Sequence, residues 1–469
     1  MKKLMVCIFF MLICVLGFLV QGCDNRFESG KMTDNAIKSM QKGDNVKALE
    51  EINKALENDK KNPLAKSVKA LLLAKNGENG NAKKLITQAV MEDPSNYDIR
   101  LNSSQILMLL GDYERAMFEI ERASALSKKP LAAICIKSEF LYKEGKKQEA
   151  LSLLDVMEGE YPKEVRPLIT KGSLFLSDKD YAKALEACEK ALKIESGNID
   201  ALSLKVLILI GKKDIKNAKV LLGELIQEHP NNSRLSLAQA KIDLLENEYV
   251  KAEKMLEQAI SSDRSNEEAY FLLGTLNMKR GDAQKAEQNL YMAARLNPKN
   301  AEAISNRAYI KLVMGKNEEG EKLLEEAIKA DPKYAATYVL KSNVLLPKGD
   351  LEGAFQLLKQ AEELDEKSPM TQLHLARIYV IKRDAEKALM HAEKTLKEEP
   401  GNILAFYYKA SALAMKGKKK EAFSQLLRAK QLGFNDVNKL KQDFCWEPYE
   451  QDPEFQKILS QLEKLNKKK

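Results

Sequence analysis

Large apolar residues recur along this chain every 34 positions. Ile52, Ile86, Ile120, Leu154, Leu222, Leu256, Leu290, Leu324, Leu358 and Leu426 share one register, with Cys188 and Ala392 filling its two remaining places. Four residues before each lies alanine, except at Gly320. Three residues after each lies alanine again, except at Met157, Leu225 and Thr395. Spacings of four and three put these residues on one face of a helix, so each unit is predicted to hold an amphipathic helix. A second helical stretch precedes it, with a small residue at Ala36, Ala70, Ser104, Ser138, Gly172, Ala240, Gly274, Ala308, Ser342, Ala376 and Ala410, and Val206 as the exception. Small residues facing alanines let two helices approach closely. Between the stretches fall Gly43, Gly111, Gly145, Gly281, Gly315, Gly349 and Gly417, all multiples of 34 apart. Glycine adopts the left-handed conformation that stops a helix. Pro94, Pro162, Pro230, Pro298, Pro332 and Pro400 then close many units. The pattern predicts twelve helix–turn–helix repeats without insertion or deletion over residues 29–436.

A 34-residue period with these positions resembles the tetratricopeptide repeat (TPR) family. The resemblance implies an all-α fold: an α-solenoid of stacked antiparallel helix pairs, coiling into a right-handed superhelix of about twelve repeats. The aromatic usual near the start of a unit stands at Tyr270, Tyr338 and Phe406, while Met32, Lys66, Arg100 and Gln372 replace it elsewhere. Ala286→Leu is expected to overpack a close helix contact, and Gly320→Ala to be neutral or stabilising. Residues 437–469 break the period. Asp452 and Pro453 open a helix whose stripe is Phe455, Ile458, Leu459, Leu462 and Leu465. This reads as the atypical terminal cap that a repeat array needs, with Trp446, the only tryptophan, packed under it.

The N-terminus has a different logic. Lys2 and Lys3 precede an uncharged stretch from Leu4 to Gly22, the layout of a secretory signal. The apolar part, Leu4 to Val20, is at the short limit for a membrane span, which is the alternative reading. Val20-Gln21-Gly22-Cys23 resembles the lipobox of bacterial lipoproteins. That resemblance implies cleavage after Gly22 and acylation of Cys23, whose several chains suffice for stable anchoring. The expected organisation is a signal peptide over 1–22, the lipidated Cys23 with a short linker over 23–28, repeats over 29–436, and a cap with a basic tail over 437–469. Asp24 favours retention at the inner membrane, the outer membrane being the alternative. Either placement faces the periplasm of a bacterial cell envelope.

Composition narrows the function classes. Net charge is +8 with both signs interspersed, which suits solvated helix faces and not a nucleic-acid footprint. The one basic cluster, Lys467-Lys468-Lys469, reads as a solubilising tail. Six cysteines form no CxxC pair, and neither a phosphate-binding glycine loop nor a catalytic set of acid, base and nucleophile is present. His374 and His391 lie in one repeat without a cysteine or carboxylate to complete a metal site. No catalysis, metal, cofactor or small-molecule substrate is expected. The functional surface is expected to be the concave groove, which in the family is lined by first-helix positions 2, 5, 9 and 12. Position 5 carries no Lys or Arg, against a carboxylate clamp built on groove cations. Cys135 is a candidate for this groove, and Phe271, Tyr309, Arg377 and Tyr407 are its candidate binding residues. The reading is a non-enzymatic, membrane-anchored scaffold for other envelope proteins. Exopolysaccharide (PEP-CTERM), pilus and outer-membrane protein systems are the kinds of machinery implied. The alternative is a regulatory subunit of a cell-wall or polysaccharide synthase.

Overall fold

The computed structural model describes residues 24–41 and 43–466, with side chains described as far as Glu463. Residues 1–22, expected to be a signal peptide, Cys23 and the tail Lys467–Lys469 lie outside the described residues. Within them all regular structure is helical, and no helix is long and apolar enough to cross a membrane. Numbered in steps of 34 from Ser29, the twelve repeats each form a helix pair. In most, the first helix has 13 residues (Pro63–Lys75, Tyr97–Leu109) and the second has 14 (Asn79–Glu92, Tyr113–Leu126). The chain divides into two compact units between Asn297 and Pro298, one holding repeats one to eight and the other repeats nine to twelve with the cap.

Local chemistry explains where these helices begin and end. An asparagine caps the first helix in seven repeats; in the sixth, Asn198 Oδ1 accepts from the Ala201 N–H at 3.0 Å. An aspartate caps the second helix in seven repeats, as Asp350 Oδ1 accepts from Gly353 N–H at 2.8 Å. The turn between them has positive φ in every repeat, with the following N–H reaching back five residues, as from Asp112 to the Leu107 carbonyl at 2.9 Å. Eight of these turn residues are glycine. The other four are Lys179, Lys213, Asn247 and Arg383, at φ between 59° and 63°.

Packing follows the small-residue register. The second-helix stripe is sealed, with Ile52, Ile120, Leu154, Leu222, Leu256, Leu290, Leu324, Leu358 and Leu426 fully buried. Burial of each such side chain contributes roughly 1.5–3 kcal/mol. At Gly274 the facing helix is so close that a Cβ would stand 2.7 Å from Leu290 Cγ. Ala286, fully buried in the same pair, has no room for a larger side chain. Ala286→Leu is therefore expected to cost about 1–3 kcal/mol. Gly320 is tightly packed, which leaves the neutral end of the expectation. A Cβ there would meet Leu312 Cγ and Cδ2 at 2.7 Å and the Ala308 carbonyl oxygen at 3.3 Å. Leu312 occupies the space that a methyl fills in other repeats, so its displacement offsets the helix-propensity gain of about 1 kcal/mol. Thermal unfolding should show Gly320→Ala near wild type and Ala286→Leu well below it. The reverse order would place the register wrongly.

In three repeats the fourth first-helix position is polar and bridges the two helices. Lys66 Nζ lies 2.6 Å from Glu92. Arg100 pairs with Glu119 at 2.9 Å, both side chains nearly buried, and its Nε donates to the Pro94 carbonyl at 2.9 Å. Gln372 Oε1 meets His391 Nδ1 at 2.5 Å while its amide donates to Glu362 Oε1 and the Glu366 carbonyl. His391 also stacks on Tyr379 and is 3% exposed.

Burial pushes His391 down to about 4 despite Glu362 nearby, with Lys394, Lys359 and Lys387 adding to the depression. The folded ring is thus neutral where an unfolded histidine, near 6.5, begins to bind protons. Its contribution is complete above about pH 6.5 and is lost as pH falls toward 4, by about 3 kcal/mol at most. Wild type should lose more stability than His391→Gln across that window. Equal losses in a pH series of urea melts would contradict this network.

The two ends of the array differ from the sequence expectation in one respect. Residues 24–28 are not a linker but part of the helix spanning 24–41, which buries Ser29 and Thr33. At the other end, a thirteenth unit starts in register with Val437–Gln442 and then breaks into a 3-10 turn, Phe444–Tyr449. The final helix, Pro453–Asn466, follows. Its Phe455, Ile458, Leu459 and Leu462 are buried over the twelfth repeat, with Trp446 beneath at 1% exposure. The side chain of Leu465 lies outside the described residues.

Candidate protein-binding groove

In the first unit, the first helices of successive repeats line a channel of about 910 Å³. Its wall is built mainly from the second, sixth and ninth residues of each unit, including Leu71, Asn102, Gln105, Arg166, Ser173 and Leu207. The channel is closed at one side because the solenoid meets itself. Asp44, Lys47 and Glu51 of the first repeat share a polar crevice of about 530 Å³ with His229, Pro230 and Asn232 of the sixth. Inside the channel, Arg234 pairs with Asp200. Desolvation raises the carboxyls of Asp98 and Glu139 above their ordinary range, although Lys143, Arg234 and Arg166 counter it at Glu139.

The fifth position is different. Ser67, Cys135, Leu237, Ser305 and Val339 are buried between neighbouring repeats. This corrects two sequence expectations. Cys135 is 3% exposed, its thiol pushed up to about 11 by burial, and takes no part in a groove surface. Tyr407 is fully buried, stacked on Phe434 at 4.6 Å, with its hydroxyl donating to Asp443. It ties the twelfth repeat to the cap and offers nothing to a partner. Phe271, also at the fifth position, is half-buried. Tyr309 and Arg377 occupy the ninth position in the second unit, Tyr309 46% exposed and Arg377 half-buried. Exposed apolar side chains accompany them there: Val313, Ile381 and Leu404.

The other two cysteines among the described residues are also buried. Cys188 Sγ donates to the Ala201 carbonyl at 3.1 Å, and burial raises its thiol to about 11 and that of Cys445 to about 12. Among the described residues, no group of three or more His, Cys, Asp or Glu side chains is arranged to hold a metal ion.

Tetratricopeptide repeat models match residues 73–133, 175–242 and 277–342, and a second model of that name matches 225–301. The chain belongs to the tetratricopeptide repeat family. No curated protein matches it. Among solved structures, it is similar to the APC/C hetero-tetramer Cut9–Hcn1, with a TM-score of 0.56 and 15% identity over 87% of this chain and 95% of that one. Yeast Tom70 aligns at a TM-score of 0.39 and 18% identity, over 88% of this chain and 93% of that one. Pseudomonas aeruginosa pilF aligns at 0.40 and 18%, over 45% and 96%. At such identities only the fold is shared, and the first alignment is the one that shows it. TPR proteins act as scaffolds that bind other proteins or peptides.

The ninth position was identifiable from the register alone. The burial of the fifth was not, because a hydrophobe there suits a groove and an interhelical seam equally well.

Proposed function

We propose that this chain is a non-enzymatic scaffold, anchored by lipid at Cys23 and facing the periplasm, whose concave groove binds other envelope proteins. The observation that carries the binding part is the lined channel of the first unit, together with the exposed apolar first-helix positions of the second. Thiols held protonated by burial supply no nucleophile, consistent with a role in binding. The anchor rests on the sequence Val20-Gln21-Gly22-Cys23 after an apolar run. Two features beside it support a membrane-proximal first repeat. Residues 24–28, next to Cys23 in sequence, are already helical, so the described chain there rises only about 1.5 Å per residue. Phe27 is 74% exposed on that helix, an apolar side chain near the anchored end.

Fractionation tests the anchor. Wild type is expected with membranes and Cys23→Ser in the soluble periplasmic fraction. Retention of Cys23→Ser in membranes would return the hydrophobic segment to the role of an uncleaved span.

A further inference from the structure

Twelve turns of one shape single out two of their number. All have positive φ, and eight are glycine. At Gly111, Gly145, Gly281, Gly315, Gly349 and Gly417 a Cβ would meet nothing within 4 Å. Glycine there answers only the backbone, and Lys179, Lys213, Asn247 and Arg383 show that the same turn accepts other residues. Gly43 and Gly77 have a second constraint. A Cβ on Gly43 would stand 3.1 Å from Cγ and Nδ2 of Asn232 and 3.5 Å from its Cα. A Cβ on Gly77 would collide with the Arg295 guanidinium. Asn232 caps the first helix of repeat seven, Ser233–Leu245, and Arg295 lies in the last turn of the second helix of repeat eight, Ala283–Leu296. The turns of repeats one and two thus rest on elements one turn of the solenoid further along the chain.

The chemistry of this seam is unlike that between neighbouring repeats. Neighbours join through buried apolar clusters, such as the one uniting Ala48, Ile52 and Ala55 with Val68 and Leu72. The crevice at the seam is lined by Lys38, Asp44, Lys47, Glu228 and His229, with Pro230 the one apolar residue in its lining. Asn232 Oδ1 accepts from the N–H groups of Arg234 and Leu235, at 3.0 and 3.3 Å, so its Nδ2 is the atom left to face the Gly43 turn. Both contacts set a donor against the C-terminal end of a first helix, that of 24–41 and that of Pro63–Lys75, where the carbonyls carry partial negative charge. Such contacts are weak and screened by salt. They can part while the apolar stripes inside each repeat stay covered.

We propose that the seam is a latch. The first unit switches between a closed ring, with repeats one and two docked on repeats six to eight, and an open coil, and the latch controls entry to the channel between them. Small sliding motions at successive helix pairs add up to the opening, and no repeat needs to unfold. Salt and substitutions at the seam shift the balance by acting on the closed state alone. That the channel admits protein rests on the reading above, whereas the latch itself does not.

Double electron–electron resonance on the full-length chain in detergent micelles tests the latch. Spin labels go on Lys47→Cys and Glu228→Cys, exposed residues on opposite sides of the crevice. Cys7, Cys14 and Cys23 are changed to Ser, and Cys135, Cys188 and Cys445 are buried and stay unlabelled. At low salt a single short-distance population is expected. At about 1 M salt, where the Debye length falls to about 3 Å, a longer population should join it. Gly43→Asn with Gly77→Asn should make the longer population dominant at low salt. Gly111→Asn, the same backbone change with nothing against it, should leave the distances as in wild type. Arg295→Gln alters neither turn, so it carries the test if the double variant loses helix content by circular dichroism. It should populate the longer distance and respond less to salt. One short distance in every variant and at every salt, or a broad long distribution in wild type at low salt, overturns the proposal. In the native envelope, photo-crosslinking of other proteins from Gln105, in the channel, should rise a few-fold when the latch is opened. Unchanged crosslinking despite switched distances overturns the control of entry. No crosslinks from any variant while the distances still switch would sink the scaffold reading and leave the latch standing.

Discussion

Glu119→Ala lowers the stability of the third repeat by about 3–5 kcal/mol, the largest effect expected of any charge removal in the chain. The reason lies in what remains. Arg100 is 8% exposed at its side chain and depends on Glu119 at 2.9 Å and the Pro94 carbonyl at 2.9 Å. Without Glu119, a guanidinium is left between two helices with one neutral acceptor. The pair itself is not a strong stabiliser, because two desolvated ions must first be taken from water. The double change Arg100→Met with Glu119→Leu is therefore expected to recover most of the loss. The helices of the third repeat pack chiefly on those of the second and fourth, so the loss is local. Hydrogen exchange resolved by peptide is the suitable measurement. Protection should fall over 97–126 and in the adjoining repeats, and return in the double variant. Unchanged protection in Glu119→Ala would mean the pair is solvated.

Trp446→Ala is expected to cost a similar amount, about 3–5 kcal/mol, at the other end of the array. Trp446 is stacked on Phe455 at 5.5 Å with rings 13° apart, and touches Phe423 and Tyr449. Its removal leaves a cavity under the final helix and loosens the cover over Phe423 and Leu426. An uncapped solenoid exposes the apolar face that the next repeat would bury. Limited proteolysis should then cut first between Asp436 and Pro453, with the upstream repeats intact. Trp446→Phe should retain most of the protection. Equal resistance of Trp446→Ala and wild type would show that the final helix holds without the tryptophan.

Most of the fold was legible because the repeat enforces itself. A 34-residue register over twelve units fixes helix number, turn position and core stripe even where single residues depart from it. Lys179, Lys213, Asn247 and Arg383 show how strongly. Each takes the left-handed turn that glycine takes elsewhere, at a cost of about 1–2 kcal/mol that packing on both sides must offset. A reading that followed glycines alone passed over these four and Gly77. The candidate site was less legible. Tyr309 and Arg377 follow from register, whereas Tyr407 was misplaced because its partner, Asp443, lies 36 residues on, in a segment that leaves the repeat pattern.

As proposed above, this TPR array engages proteins through its concave face. Site-specific photo-crosslinking in the native envelope tests it most directly. A photoreactive residue is placed singly at Gln105, Ser173, Tyr309 and Arg377 on first helices, and at Phe118, Val220 and Met390, exposed on second helices. Discrete crosslinked proteins are expected from the first set and none of comparable yield from the second. Crosslinks confined to the second set would contradict it.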